Sequence, residues 1–268
     1  MIDFHTHVFP DKIAAATVAA LAKVSNTAPH SGGTADELLS LLSAAGADIA
    51  VNLPVLTKPT QFDSILNYAV ALNGREYGQE RIISFAGIHP ADENIEEHLY
   101  QVKERGIKGV KIHPDYQNTF FDDDAYIRII KCAKELDLIV VTHAGLDAAY
   151  IGQPIKCTPK RVLNLLSKVG GYSKLVLAHI GGNDLSSEVL SSLAGEDIYF
   201  DTSYSLKCTP RETFEKIVEK HGASKILFGS DSPWRDIREE ADIIKSFNFG
   251  AKTEEKIFSA NAKELLGI

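Results

Sequence analysis

Leu138-Ile139-Val140-Val141-Thr142-His143 is an apolar run without alternation that stops on a histidine. A strand with one wet face alternates apolar and polar residues, so a continuous run belongs to a strand covered on both faces, as in a parallel sheet flanked by helices. Seven further short apolar or β-branched runs recur, at 2–5, 48–53, 82–88, 109–113, 175–179, 198–202 and 226–229. Spread over 268 residues, eight runs leave about 33 residues each, near the ~30 that a strand–helix–strand unit needs. Helix signals fill the gaps. Thr34-Ala-Asp-Glu37 reads as a capping box closed by Gly46, and Thr209-Pro-Arg-Glu212 as a second box with Pro210 at the first helical position. Thr158-Pro159 opens a helix carrying Val162, Leu163, Leu165 and Leu166, and helical periodicity continues over 123–136 and 253–266. The expected fold is α/β, a single (β/α)8 TIM barrel spanning 1–268 as one domain. The rival, a doubly wound open sheet, lacks a Gly-x-Gly-x-x-Gly after its first strand.

Apolar residues make up 44% of the chain and charged residues 24%, ordinary for a soluble globular protein. The 28 basic and 36 acidic residues give a net charge of −8, which disfavours nucleic acid or an anionic membrane as partner. No run of ~18 apolar residues and no N-terminal leader pattern is present, so the expected location is cytoplasmic and the expected partner a small-molecule substrate. Oligomeric state stays open, a homo-oligomer included. Cys132, Cys157 and Cys208 form no Cys-x-x-Cys pair and read as reduced thiols, with Cys157 and Cys208 as buried fillers.

Functional groups of a (β/α)8 barrel project from the C-terminal ends of its strands. Six of the nine histidines fall there: His5, His7, His89, His113, His143 and His179; Asp231 ends the eighth run. In His5-Thr6-His7 the two-residue period of a strand turns both imidazoles to one side. Imidazole and carboxylate together suit Zn²⁺ or a similar divalent ion, with Mn and Fe as alternatives. Such an ion lowers the pKa of a water from 15.7 to roughly 7. Asp231 is placed to accept that water's proton, and His179 to polarise a carbonyl or protonate a leaving group. Asp3, in phase with His5 and His7, is expected to fix an imidazole tautomer.

His5-Thr6-His7, Thr142-His143-Ala144-Gly145, Ala178-His179-Ile180-Gly181-Gly182 and Gly229-Ser230-Asp231-Ser232-Pro233-Trp234 resemble, in order and along the whole chain, the metal motifs of the amidohydrolase superfamily. The resemblance is strongest to the amidohydrolase-related branch that includes metal-dependent decarboxylases. It implies that His5, His7, His143 and Asp231 hold one metal, and that His179 is either a ligand to a second metal or an acid/base. It also implies two roles for Lys111: a carbamylated bridge between two ions, or, in a mononuclear site, a cation facing a substrate carboxylate. The mononuclear reading is preferred.

Further candidates surround these motifs. His89 and His113 each sit in Ile-His-Pro and are candidate substrate contacts, as are Tyr116 and Trp234. Trp234 either walls the pocket or packs beneath a loop. Asp201 and Tyr204 are weaker substrate-contact candidates, and the small polar stretch 25–33 with His30 is either a lid or an exposed loop. The leading functional expectation is a metal-dependent hydrolase of a small amide, ester or lactone. A non-oxidative decarboxylase of an aromatic or unsaturated acid and a non-catalytic metal- or ligand-binding barrel are the alternatives. A nuclease is disfavoured by the charge.

Overall fold

A computed structural model describes residues 1–74 and 80–268. The chain folds as a (β/α)8 barrel whose strands run parallel throughout. Its strands are β1 (Ile2–Thr6), β2 (Ile49–Asn52), β3 (Arg81–Ser84), β4 (Ala86–Gly87), β5 (Gly109–Ile112), β6 (Ile139–Thr142), β7 (Leu175–Leu177), β8 (Tyr199–Asp201) and β9 (Ile226–Leu227). The third of the eight expected runs is divided. β3 pairs with β2 and β4 with β5, while Phe85 between them still donates its N–H to Asn52 O at 2.9 Å. Its buried ring turns edge-on to Phe4 inside the barrel, 6.0 Å between centroids.

The first and last strands make no regular ladder, yet backbone bonds join them. Phe4 N–H donates to Phe228 O (2.8 Å), Asp231 N–H to His5 O (2.8 Å) and His7 N–H to Ser232 O (2.7 Å). Closure therefore occurs at the level of the motif residues themselves. The pairing of β1 with β2 slips between Asp3 and Thr6. Such a bulge re-aims the side chains beyond it: Phe4 packs with Ile2 and Val51, and the adjacent His5 turns toward Lys111 of β5.

Two apolar layers hold the barrel. Ile2, Phe4, Val51, Phe85, Val141, Val176 and Leu227 pack inside it. The alternate strand residues, such as Val110, Val140 and Leu177, face the helices and meet Leu38, Leu99, Ile130 and Leu165. This is the double coverage that a continuous apolar strand requires.

The helices are α1 (Asp11–Ser25), α2 (Ala35–Ala45), α3 (Phe62–Asn73), α4 (Ile95–Glu104), α5 (Asp124–Glu135), α6 (Pro159–Val169), α7 (Ser186–Glu188), α8 (Arg211–His221), α9 (Ile237–Ser246), α10 (Ala251–Glu255) and α11 (Asn261–Leu266). Thr34 caps α2 with Glu37 in a complete box, and Thr158 caps α6 through Arg161 N–H with Pro159 in the first turn. The second expected box does not form. α8 starts at Arg211 after an extended Pro210, and Thr209 ends the preceding turn by donating its N–H to Ser205 O. The 253–266 stretch is α10 and α11 joined by a π-helical turn at Lys256–Ala260. Of the cysteines only Cys157 is buried; Cys132 is half-buried and Cys208 exposed, because it lies on the turn before α8. Among the described residues no helix is long and apolar enough to cross a membrane.

Candidate metal centre

His5, His7, Lys111, His113, His143, His179 and Asp231 line one cavity of about 480 Å³ at the C-terminal end of the barrel. Tyr116, Asp147, Tyr204 and Trp234 line it too, so Trp234 walls the pocket. His89 does not. It lies in the turn after β4, where its Nδ1 accepts the Ala91 N–H at 3.1 Å. His30 is also outside the cavity, with its Nε2 2.8 Å from Asp236 Oδ2. Its N–H donates to Pro233 O, which fastens the end of the 25–33 stretch to the loop after β9.

The tautomers follow from the partners. His7 Nδ1 lies 2.9 Å from Leu53 O, which can only accept, so the proton is on Nδ1 and the Nε2 lone pair is free. His5 Nδ1 lies 2.8 Å from Asp201 Oδ2, with both groups buried, and again its Nε2 is left as an acceptor. Those two Nε2 atoms stand 3.2 Å apart, with Asp231 Oδ1 3.2 Å from His7 Nε2 and 3.6 Å from His5 Nε2. Three acceptors thus converge, and the donor beside them is Lys111 Nζ, 3.2 Å from His5 Nε2. A cation between them relieves their repulsion, and nitrogen and oxygen donors of this kind fit a divalent ion. The three ligand atoms form one of two clusters among the described residues whose spacing suits an ion.

The second cluster is His113, His143 and Asp147. His179 Nδ1 donates to Ser203 O (3.0 Å), and its Nε2 accepts from His143 Nδ1 (3.0 Å). That leaves His143 Nε2 buried with no partner, a lone pair available to a ligand. His143 was expected beside His5, His7 and Asp231, but it stands closer to His113 and Asp147 because its ring stacks on His113, 4.3 Å between centroids. His113 carries the opposite tautomer: Nδ1 accepts from Tyr116 N–H (3.3 Å) and Nε2 donates to Asp147 (3.2 Å). Tyr116 stacks on the other face of that ring at 4.0 Å.

Burial, reinforced by the Lys111 charge, holds His5 down at about 4, so the ring is neutral and ligand-competent at neutral pH. His143 and His113 are held well below the usual histidine range, again chiefly by burial, with the Lys111 charge adding to it. Burial lowers Lys111 to about 8, and its Nζ lies 3.2 Å from His5 Nε2. For Asp231, burial pushes upward, but the His7, His5 and His179 side chains around it favour the ionised form and the carboxyl stays below its ordinary value.

Asp3 does not reach the His5 ring, which corrects the expectation above. The β1 bulge takes it out of phase, and its carboxylate accepts from Ser230 N–H (2.9 Å) and Ser230 Oγ (2.5 Å), tying β1 to the loop after β9. Asp201 takes the tautomer-fixing place. Its Oδ2 accepts from His5 Nδ1, and its Oδ1 accepts from His179 N–H (3.1 Å), Ser203 N–H (3.1 Å) and the Ser203 hydroxyl. Burial pushes Asp201 up, yet its hydrogen bond from His5 and the nearby Lys111 charge overcome it and keep the carboxylate ionised. The hub also braces strain: His179, Ile180 and Asp231 have φ of 61°, 57° and 72°, a region non-glycine residues occupy mainly where surrounding structure compels it. Asp147 and Ser203 had drawn no notice in the sequence. Asp201 had a signal, an acid embedded in the apolar run Tyr199-Phe200-Asp201, where an unpaired carboxylate would be costly.

A parallel barrel with His and Asp side chains converging at the C-terminal end of its strands belongs to a class of metal-centred (β/α)8 proteins. A family model described as Amidohydrolase matches residues 2–268, and the chain belongs to that family. Among solved structures it is similar to a 2,6-dihydroxybenzoate decarboxylase in complex with 2,6-dihydroxybenzoate, with a TM-score of 0.74 and 16% identity over 100% of this chain and 99% of that one. It is also similar to a dihydroxybenzoic acid decarboxylase from Polaromonas sp. with bound manganese and the inhibitor 2-nitroresorcinol (TM-score 0.71, 15% identity, 99% and 96% covered). A third is a Pseudomonas putida protein assigned as a 2-pyrone-4,6-dicarboxylic acid hydrolase (TM-score 0.66, 19% identity, 99% and 97% covered). No curated protein matches the chain in sequence.

Proposed function

We propose that residues 1–268 form one catalytic domain, a metal-dependent hydrolase that acts on a small-molecule amide, ester or lactone. The observation that carries this reading is the convergence of His5 Nε2, His7 Nε2 and Asp231 Oδ1, all acceptors, inside a cavity large enough for a drug-sized ligand. His5, His7 and Asp231 would hold one divalent ion, Zn, Mn or Fe, with the free Nε2 of His143 as a further ligand. When bound, the ion supplies a fixed positive charge that polarises a carbonyl and acidifies a water.

The rest of the chemistry falls to the chain. Asp231, kept ionised by its histidine neighbours, accepts a proton from the attacking water through its second oxygen. Asp201 and Leu53 O fix the ring orientations that present both Nε2 atoms to the cavity. The proton that Asp231 takes from water would then reach the leaving group by way of His179 Nε2, whose ring is oriented by its Nδ1–H bond to Ser203 O and braced on Asp201. Lys111, fully buried, orients a substrate anion as a cation; as a carbamate it would instead bridge to a second ion.

Non-oxidative decarboxylation of an aromatic or unsaturated acid is the second reading. It is favoured by the position of Lys111, whose ammonium can receive a carboxylate beside the metal cluster, with His179 or Asp231 as the carbon's proton donor. Turnover in ¹⁸O-water separates the two. Hydrolysis places one labelled oxygen in the product acid, whereas decarboxylation releases carbon dioxide, places a solvent hydrogen on carbon and leaves the organic product unlabelled. Full turnover of any of these substrates by exhaustively chelated protein overturns both.

A further inference from the structure

The same cavity extends well beyond the histidine cluster, and its outer half differs in chemistry from its base. Ile13, Thr17, Leu21 and Ser25 line it from α1, four residues apart, so they form one stripe along the helix. At 1.5 Å per residue that stripe is about 18 Å long. Gln61, Ser64, Ile65 and Tyr68 line it from the turn before α3 and from α3 itself. Val8, Phe9, Pro10, Pro54 and Val55 fill the floor between the two helices. Ile13 is 51% exposed although it lines the cavity, so an apolar side chain meets water at the mouth.

Among the described residues that line the cavity, charge is confined to the base. Among the described residues Lys111 is the single lysine or arginine that lines the cavity, and Asp147 and Asp231 are its two acids. Arg235 does not line it; its guanidinium stacks on the Tyr204 ring at 4.3 Å. A second carboxylate placed between α1 and α3 would lose water and find no cation among the described lining residues.

We infer that the physiological ligand is a monoanion whose single acidic head meets Lys111 and whose uncharged apolar tail lies between α1 and α3. Dicarboxylates with a distal charge are excluded. This rests on the reading of the cavity as the active site, and it separates the chain from a protein built for a pyrone dicarboxylate. A lone benzoate ring would occupy only the base and leave the Leu21–Ile65 region to water.

Calorimetric titration of the full chain tests this, using benzoate, 4-hexylbenzoate, 4-hexylbenzamide and 6-(4-carboxyphenyl)hexanoate, each with metal-loaded and with chelator-treated protein. Because every buried methylene adds to affinity, 4-hexylbenzoate is expected to bind at least about tenfold more tightly than benzoate. The dicarboxylate of matched length is expected to lose that gain, and the amide to bind more weakly than the acid in the chelated protein. In Leu21→Asn and Ile65→Asn the hexyl advantage shrinks to less than about threefold. Equal binding of benzoate and 4-hexylbenzoate, a dicarboxylate that matches 4-hexylbenzoate, or no binding of 4-hexylbenzoate overturns the inference. Tail recognition is read without turnover and in both metal states, so its failure is distinct from failure of the metal-dependent reaction.

Discussion

Asp201 holds the His5 ring from across the intervening β9: His5 Nδ1 and Asp201 Oδ2 are 2.8 Å apart and both side chains are buried. The two residues are 196 positions apart in the chain, on β1 and β8. A carboxylate behind a ligating imidazole fixes its tautomer and raises its basicity, and loss of such a partner commonly costs 10–100-fold in metal affinity. Asp201→Asn is therefore expected to weaken metal binding by about that factor, measured by competition with a chromogenic chelator. Unchanged affinity would show that the pair has only a structural role.

Asp231→Asn keeps the shape of the ligand but removes the charge and the proton acceptor. Turnover is expected to fall at least ~10²-fold, the contribution typical of a placed acid or base. Far-ultraviolet circular dichroism should stay unchanged, because Asp231 N–H still bonds His5 O. A variant with native turnover would remove Asp231 from the chemistry.

Gly145 sits two residues after His143 with φ of 84°, and a Cβ there would stand 2.1 Å from Asn183 N and 2.3 Å from Asn183 O. Its N–H donates to Cys157 O, so the backbone has little freedom to retreat. Gly145→Ala is expected to destabilise the fold by roughly 1–3 kcal/mol or more in urea titration, from the left-handed φ alone, before the clash is counted. A silent substitution would mean that the β6 and β7 loops yield more readily than their hydrogen bonds imply.

The strand pattern and the histidines at strand ends were legible because both depend on local periodicity. The run 138–143 emerged as β6 followed by His143, and the Thr34 and Thr158 caps formed as written. What the sequence concealed were relationships that need three dimensions. Asp3 shares the two-residue phase of His5 and His7, and only the bulge in β1 shows why its carboxylate turns to Ser230 instead. Asp201 carries no motif, and its importance arises from β8 lying between β7 and β9, which brings its carboxylate within reach of His5 on β1. His89 and His113 occupy the same Ile-His-Pro string, but one closes a turn while the other stacks between Tyr116 and His143. Thr209-Pro210 has the letters of a cap, but its threonine is engaged in the turn that precedes the helix.

Glu240 on α9 is fully buried with neither carboxylate oxygen hydrogen-bonded. Burial, only partly offset by Arg235 and Lys207, raises it to about 7 from an ordinary 4.5. The folded state therefore keeps this proton while the unfolded chain loses it, so stability contributed by the group is full below pH 4.5 and falls as pH rises toward 7. Glu240→Gln abolishes that titration. Its stability relative to the parent protein is expected to improve by ~1–3 kcal/mol between pH 4 and pH 8, in urea denaturation at a series of pH values. A difference independent of pH would contradict the assignment.

The central claim is that His5, His7 and Asp231 gather to hold a divalent ion, and elemental analysis measures it most directly. Protein equilibrated with zinc, manganese or iron(II) and then freed of excess metal should retain about one ion per chain, or about two if Lys111 is carbamylated, and His5→Ala/His7→Ala should retain almost none while keeping its circular dichroism. Parent protein that holds no ion, or a double variant that holds as much as the parent, would contradict the account.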